Sequence, residues 1–173
     1  MNNILIGADP EFFLFSKKHQ SPISAHGLFP GTKDDPYPLE GGAMQVDGTA
    51  LEFNINPTDN PDEFDKTITL VLSQIQDIIN KVDSDLTMDF TPIVSFERDY
   101  WKKVPIEAKV LGCEGDYNFW GMKNPTPTPN RIRTAAGHLH LGFTDNQDAN
   151  ELSAHFDKCV DLSLAFHNLK ILE

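Results

Sequence analysis

Hydrophobic and polar positions alternate from the start of the chain. In ILIGADPEFFLF, residues 4–15, Leu5, Gly7, Asp9, Glu11 and Phe13 fall on one side and Ile4, Ile6, Ala8, Phe12 and Leu14 on the other, which is the period of a β-strand. Pro10 cannot donate a ladder hydrogen bond, so the pattern predicts an edge position, a bulge or a break beside the two acids. Residues 16–44, rich in Gly, Pro and Lys, read as one long loop. AMQVDGTALEFNINP, residues 43–57, reads as a hairpin around Asp47-Gly48, and its second strand sets Leu51, Phe53 and Ile55 against Glu52, Asn54 and Asn56.

The period then changes to that of a helix. Phe64, Ile68, Leu72, Ile75, Ile79 and Val82 recur at helical spacing, with Asn60 as N-cap, Pro61 in the first turn and Glu63 placed to complete a capping box. TMDFTPIVSF, residues 87–96, reads as a strand; residues 106–133 read as a short helix or turn followed by irregular, proline-broken chain; HLHLGF, residues 138–143, reads as another strand. From about Asn146, Leu152, Phe156, Val160, Leu164 and His167 predict a second amphipathic helix. Strands followed by helices imply an α+β domain, an antiparallel sheet with helices packed on one face and the other face free.

A chain of 173 residues is long enough for one domain with its own core. Its formal net charge of −12 and lack of a Lys/Arg cluster argue against nucleic acid and anionic membranes as partners. Cys113 and Cys159 have no metal-ligand or redox spacing and read as reduced core residues. With neither a signal-like N-terminus nor an apolar run of membrane-spanning length, the expected location is the cytoplasm.

The candidate chemistry lies on the polar sides of the strands. Three of them place metal-competent side chains at i and i+2, hence on one face: Asp9 with Glu11, Glu52 with Asn54, and His138 with His140. Taken singly, Asp9 is a turn-capping acid next to Pro10, Glu52 a solvated strand residue and His-x-His a chance pair; their joint occurrence on the same kind of face is the signal. Two carboxylates about 4 Å apart repel by roughly 4 kcal/mol at an effective dielectric near 20, so gathering Asp9, Glu11 and Glu52 calls for a cation. Carboxylates with few nitrogen ligands favour Mg²⁺ or Mn²⁺, which bridge to phosphates, over a closed zinc site. Lys33, Arg131 and Arg133 are candidate phosphate or carboxylate contacts, with Arg133 ranked first for its nearness to the histidine strand.

GADPEF, GGAMQVDGTALEFNINP and RTAAGHLHLGF, in this order, resemble the phage-type COOH-NH2 (carboxylate–amine) ligases of type 2, within the glutamine synthetase and glutamate–cysteine ligase superfamily. The likeness runs from residue 4 to about residue 170. It implies a glutamine synthetase-like catalytic fold with a concave polar sheet, and a reaction in which ATP phosphorylates a carboxylate and an amine displaces phosphate to form an amide. By motif, Glu11, Glu52 and Asp9 would be Mg²⁺ ligands, His138 a metal or phosphate contact and catalytic with Glu52, and Arg133 a catalytic contact to the transferring phosphate. Lys33, Asn54, His140 and Arg133 would bind the nucleotide. The substrates would be a small-molecule or peptide carboxylate and an amine, and the location the cytoplasm, of a host cell if the chain is phage-encoded. Because relatives continue into a second strand-rich half, the resemblance also implies that residues 1–173 form one domain incomplete at its C-terminus: a fragment, a chain whose site a second chain or a homo-oligomer completes, or one that has lost part of the site and no longer catalyses. Two other function classes stand beside the ligase: a metal-dependent hydrolase that activates water with His-x-His, and a non-catalytic binding or assembly protein on the same scaffold.

Overall fold

The computed structural model describes residues 4–109 and 130–143. In chain order the elements are β1 (Ile4–Ser16), β2 (Ser21–Ile23), β3 (Tyr37–Leu39), β4 (Gly42–Asp47), β5 (Ala50–Ile55), α1 (Pro61–Val82), β6 (Leu86–Asp89), β7 (Ile93–Ser95), α2 (Arg98–Lys103), α3 (Ile106–Lys109), β8 (Ile132–Thr134) and β9 (Gly137–Phe143). This is an α+β arrangement in which every strand pair is antiparallel. The helix predicted from about Asn146 lies outside the described residues, as do Cys113 and Cys159.

β1 is the spine of a seven-stranded sheet, pairing with β9 along its first half, β6 and β2 along its last, and β5 between. Pro10 stands at the change of partner. Neighbouring N–H groups of a strand point to opposite edges. The Glu11 N–H donates to Ala136 O on the β9 side at 2.7 Å, and the Ile6 N–H donates to Thr58 O on the other side at 2.8 Å. Pro10 therefore lacks its donor on the β5 side, where regular pairing covers only Glu11 and Phe12. The strand itself runs on unbroken; the interruption is in one of its ladders.

Helix α1 follows its sequence signals closely. Asn60 accepts from the N–H groups of Asp62 and Glu63, Pro61 occupies the first turn, and Val71, Ile75 and Ile79 are buried. The predicted capping box is rearranged: the Glu63 carboxylate accepts from Thr58 Oγ1 at 2.8 Å, and that hydroxyl accepts from the Asn60 N–H at 3.1 Å. Thr58 takes the position between cap and acid because its backbone is pinned to Ile6 of β1.

Three expectations change. The loop 16–44 contains β2, β3 and the start of β4, short strands with Pro22 and Pro38 at their centres. Three residues leave no period to read, and the edge of the partner strand decides. TMDFTPIVSF is two strands: β6 pairs with β1, and beyond Phe90-Thr91-Pro92, β7 pairs with β8 in a separate ribbon. α2 and β8 arise in segments whose pattern announced neither.

The sheet also has a core on each face. Ala8, Phe12 and Leu14 of β1 pack with Met44, Leu51, Phe53 and Ile55 under α1. On the opposite face Phe13 and Ala50 are buried with Val94, Phe96, Trp101, Val104 and Ala108, so the face expected to be free is covered at one end. None of the described helices is long and apolar enough to cross a membrane.

Truncating the α1 core contact with Ile75→Ala is expected to cost about 2–5 kcal/mol, and removing the cap with Asn60→Ala about 1 kcal/mol. Both are read as a fall in urea midpoint at unchanged denaturant dependence.

Candidate metal centre

Residues directly opposite in an antiparallel pair share a face, and two pairings build the centre. Glu11 of β1 faces Glu52 of β5, and Glu52 faces Gln45 of β4. Asp47, two residues beyond Gln45, lies on that face as well. The hairpin loop is Gly48-Thr49, with Gly48 at φ +55°, so Asp47 ends the strand instead of forming the turn. One carboxylate oxygen from each of Glu11, Asp47 and Glu52 lies within 4.8 Å of the others. Gln45 Nε2 donates to Glu52 Oε2 at 2.8 Å and orients that carboxylate.

β9 supplies a second flank. Asp9 pairs with His138 and Gly7 with His140. Since Gly7 has no side chain, the His140 ring reaches the neighbouring acid: its Nε2 is 3.0 Å from Asp9 Oδ2, while His138 Nδ1 is 3.5 Å from Asp9 Oδ1. Backbone donors fix both acids of β1. The His138 N–H donates to Asp9 Oδ1 at 3.1 Å and the Ala136 N–H to Glu11 Oε2 at 2.8 Å. The imidazoles are largely exposed, at 70% and 65%, whereas the Asp9 side chain is 18% exposed. The result is a half-buried floor of acids with histidines at its open rim.

Burial, foremost, pushes the Glu11 carboxyl above its ordinary 4.5, with Asp47 adding to the rise while the Ala136 N–H and His138 oppose it. Glu52 is raised in the same way, by burial first and then by Asp9, Glu11 and Asp47, against the hydrogen bond from Gln45. Both directions mark like charges held together in a partly desolvated place. Oxygens around a small divalent cation at about 2.1 Å stand about 3–4 Å apart, so the three carboxylates need only a small closure to share one.

The structure thus gathers Asp9, Glu11, Glu52, His138 and His140. The other proposed site residues lie elsewhere. Asn54 is exposed, farther along β5 opposite Ala43, and Lys33 is exposed in a turn closed by Thr32 and Asp35. Arg133 is buried in the second apolar cluster with its guanidinium 4.4 Å from the Trp101 ring centre. Its Nη2 donates to Lys109 O at 2.6 Å and its Nη1 to Ile132 O at 2.8 Å and to Asn130 O. Those donors are engaged by backbone carbonyls, not turned to the acids. The open cavity of about 430 Å³ bordered by Ser16, Lys18, His19, Val82 and Leu86 belongs to the far end of β1.

Asp47 and Gln45 were missed from sequence because Asp-Gly was read as the turn. Hairpin parity carries the missing signal: any two-residue loop at this corner puts 43 and 45 on the face of 50, 52 and 54, and 47 joins them once the loop is Gly48-Thr49. No family model matches the chain, and comparison with curated proteins and with solved structures finds no match either.

Glu11 and Glu52 bind protons in the folded chain at pH values where the unfolded chain has released them. The stability they contribute is therefore present below 4.5 and is lost as the pH rises through their raised values. In the cation-free protein Glu52→Gln is expected to raise the melting temperature at pH 7, with the difference vanishing by about pH 4; thermal unfolding across that range checks both.

Proposed function

We propose that the acidic floor binds a divalent cation of the Mg²⁺ or Mn²⁺ type, and that the chain uses it with ATP in carboxylate–amine ligation on a glutamine synthetase-like scaffold. The observation that carries the cation is the convergence of Glu11, Asp47 and Glu52 oxygens from three adjacent strands. Three oxygen donors without a thiolate suit a hard cation that keeps several waters and shares phosphate oxygens, which is how such ions serve phosphoryl transfer. The ligase assignment is carried by the three ordered motifs, whose acids and histidines are the residues gathered on this face.

Glu11, Asp47 and Glu52 would hold the cation, with Asp9 next to them. When bound, it would neutralise charge developing on a transferring phosphoryl group. The chain's own contributions are separable from it. Gln45 and the Ala136 N–H orient Glu52 and Glu11. Asp9 holds His140 at the exposed rim, where an imidazole meets an incoming anionic group. The apolar wall that begins at Phe13 and Ala50 excludes water from one side of the acids and strengthens their electrostatics. A cytoplasmic location and carboxylate and amine substrates, small or peptidic, go with this reading.

Titration calorimetry with Mn²⁺ and then with Mg²⁺ and ATP is expected to show both ligands, and ADP and phosphate are expected to appear when a carboxylate and an amine are supplied. Glu52→Gln should abolish cation binding and turnover while the circular dichroism spectrum stays native. Absence of cation binding would sink the metal centre. Cation binding without nucleotide binding would leave a binding protein, and tight Zn²⁺ binding with ATP-independent amide cleavage would make it a hydrolase.

A further inference from the structure

We propose that Arg133 is the positioning residue of the acidic floor: it anchors the β7–β8 ribbon and so holds the Ala136–His138 segment against Glu11 and Asp9, without touching the cation site itself. Four separate contacts make the anchor. The guanidinium lies over Trp101 of α2, donates to Lys109 O at the end of α3, and closes on Ile132 O and Asn130 O of its own strand and the turn before it. Arg133 also pairs with Val94 of β7, and the Ala135 N–H donates to Pro92 O at 2.9 Å. One residue on, the chain changes allegiance. Ala136 accepts from the Glu11 N–H at 2.7 Å and donates to Glu11 Oε2 at 2.8 Å, and the His138 N–H donates to Asp9 Oδ1 at 3.1 Å.

The carboxylates of Glu11 and Asp9 are therefore each aimed by a backbone donor, and both donors hang from a corner whose ribbon is tied to the α2–α3 wall by the Arg133 guanidinium, with Val94 buried beside it and the Phe96 N–H donating to Arg131 O at 2.9 Å. The ribbon has only three residues per strand, and besides Arg133 only Val94 among them is buried, while Ile93 and Ile132 on its outer side are exposed. Two such strands are marginal alone and need packing to hold them. Arg133 Nε is buried with no partner among the described residues, and burial draws the guanidinium pKa below its ordinary value, so the residue is a costly choice for packing alone. Donors to three carbonyl oxygens together with a planar stacking surface are what an arginine supplies and a lysine or methionine does not.

Arg133→Met and Arg133→Lys in the full chain test this with two readouts. Mn²⁺ affinity, followed by electron paramagnetic resonance, is expected to fall about tenfold or more in Arg133→Met and less in Arg133→Lys, which keeps the charge over Trp101. Amide exchange at Ala136 is expected to quicken by about two orders of magnitude while Val71 and Ile75 in α1 keep their protection. The first readout rests on the metal reading; the second does not. If wild-type protein binds no Mn²⁺, the metal centre fails, and Ala136 exchange alone decides the anchor. Wild-type Mn²⁺ affinity and unchanged Ala136 exchange in Arg133→Met would overturn the proposal. Should Arg133→Met not fold, Arg133→Lys with the same two measurements decides it: native values for both would overturn the proposal.

Discussion

The pairing of β1 with a different strand on each edge is the constraint on which the rest depends. Antiparallel ladders leave no freedom in which side chains meet, so once Glu11 faces Glu52 and Asp9 faces His138, the acids and histidines share one face whatever their mutual repulsion. The apolar face of β1 holds this register: slipping by one residue would turn Phe12 and Leu14, both fully buried, away from α1. Hydrophobic burial on one side of the sheet thus enforces an electrostatic conflict on the other.

Pro10 contributes to that arrangement in a particular way. Its missing N–H falls on the edge where β1 is exchanging Thr58 for β5, so the loss of a donor coincides with a place where no regular ladder exists. Proline in the centre of a sheet is ordinarily excluded because it orphans a partner carbonyl. Here the gap in pairing absorbs it, and the strand carries Asp9 and Glu11 past it without a bulge.

The second apolar cluster changes the character of the acidic face. Phe13 follows Glu11 and Ala50 precedes Glu52 on the same side of the sheet, so the aromatic group of Phe96, Tyr100 and Trp101 stands at the end of the acid floor. An open sheet face would leave the carboxylates near their ordinary acidity; a partly walled one raises Glu11 and Glu52 and makes a cation the natural relief. Arg133 sits in this wall, which is why an arginine next to the histidine strand in sequence meets backbone carbonyls and the Trp101 ring instead of the acids.

Much of the framework was legible in the residues. Alternation in ILIGADPEFF and ALEFNI determines strands and their buried faces, because side-chain direction in a strand repeats every two residues. Asn60, Pro61 and the 3.6-residue spacing determine α1, because helix ends and faces are local matters. For the same reason the shared face of Asp9 and Glu11, and that of His138 and His140, could be read in advance. What only the tertiary structure decided is which strands lie side by side. Asp47 joined the acids through the position of a hairpin turn, β6 and β7 parted because their partners differ, and Arg133 turned inward because Trp101 and the Lys109 carbonyl were there to receive it. These are contacts between residues distant in the chain, and local periodicity holds no information about a partner that the chain has yet to meet.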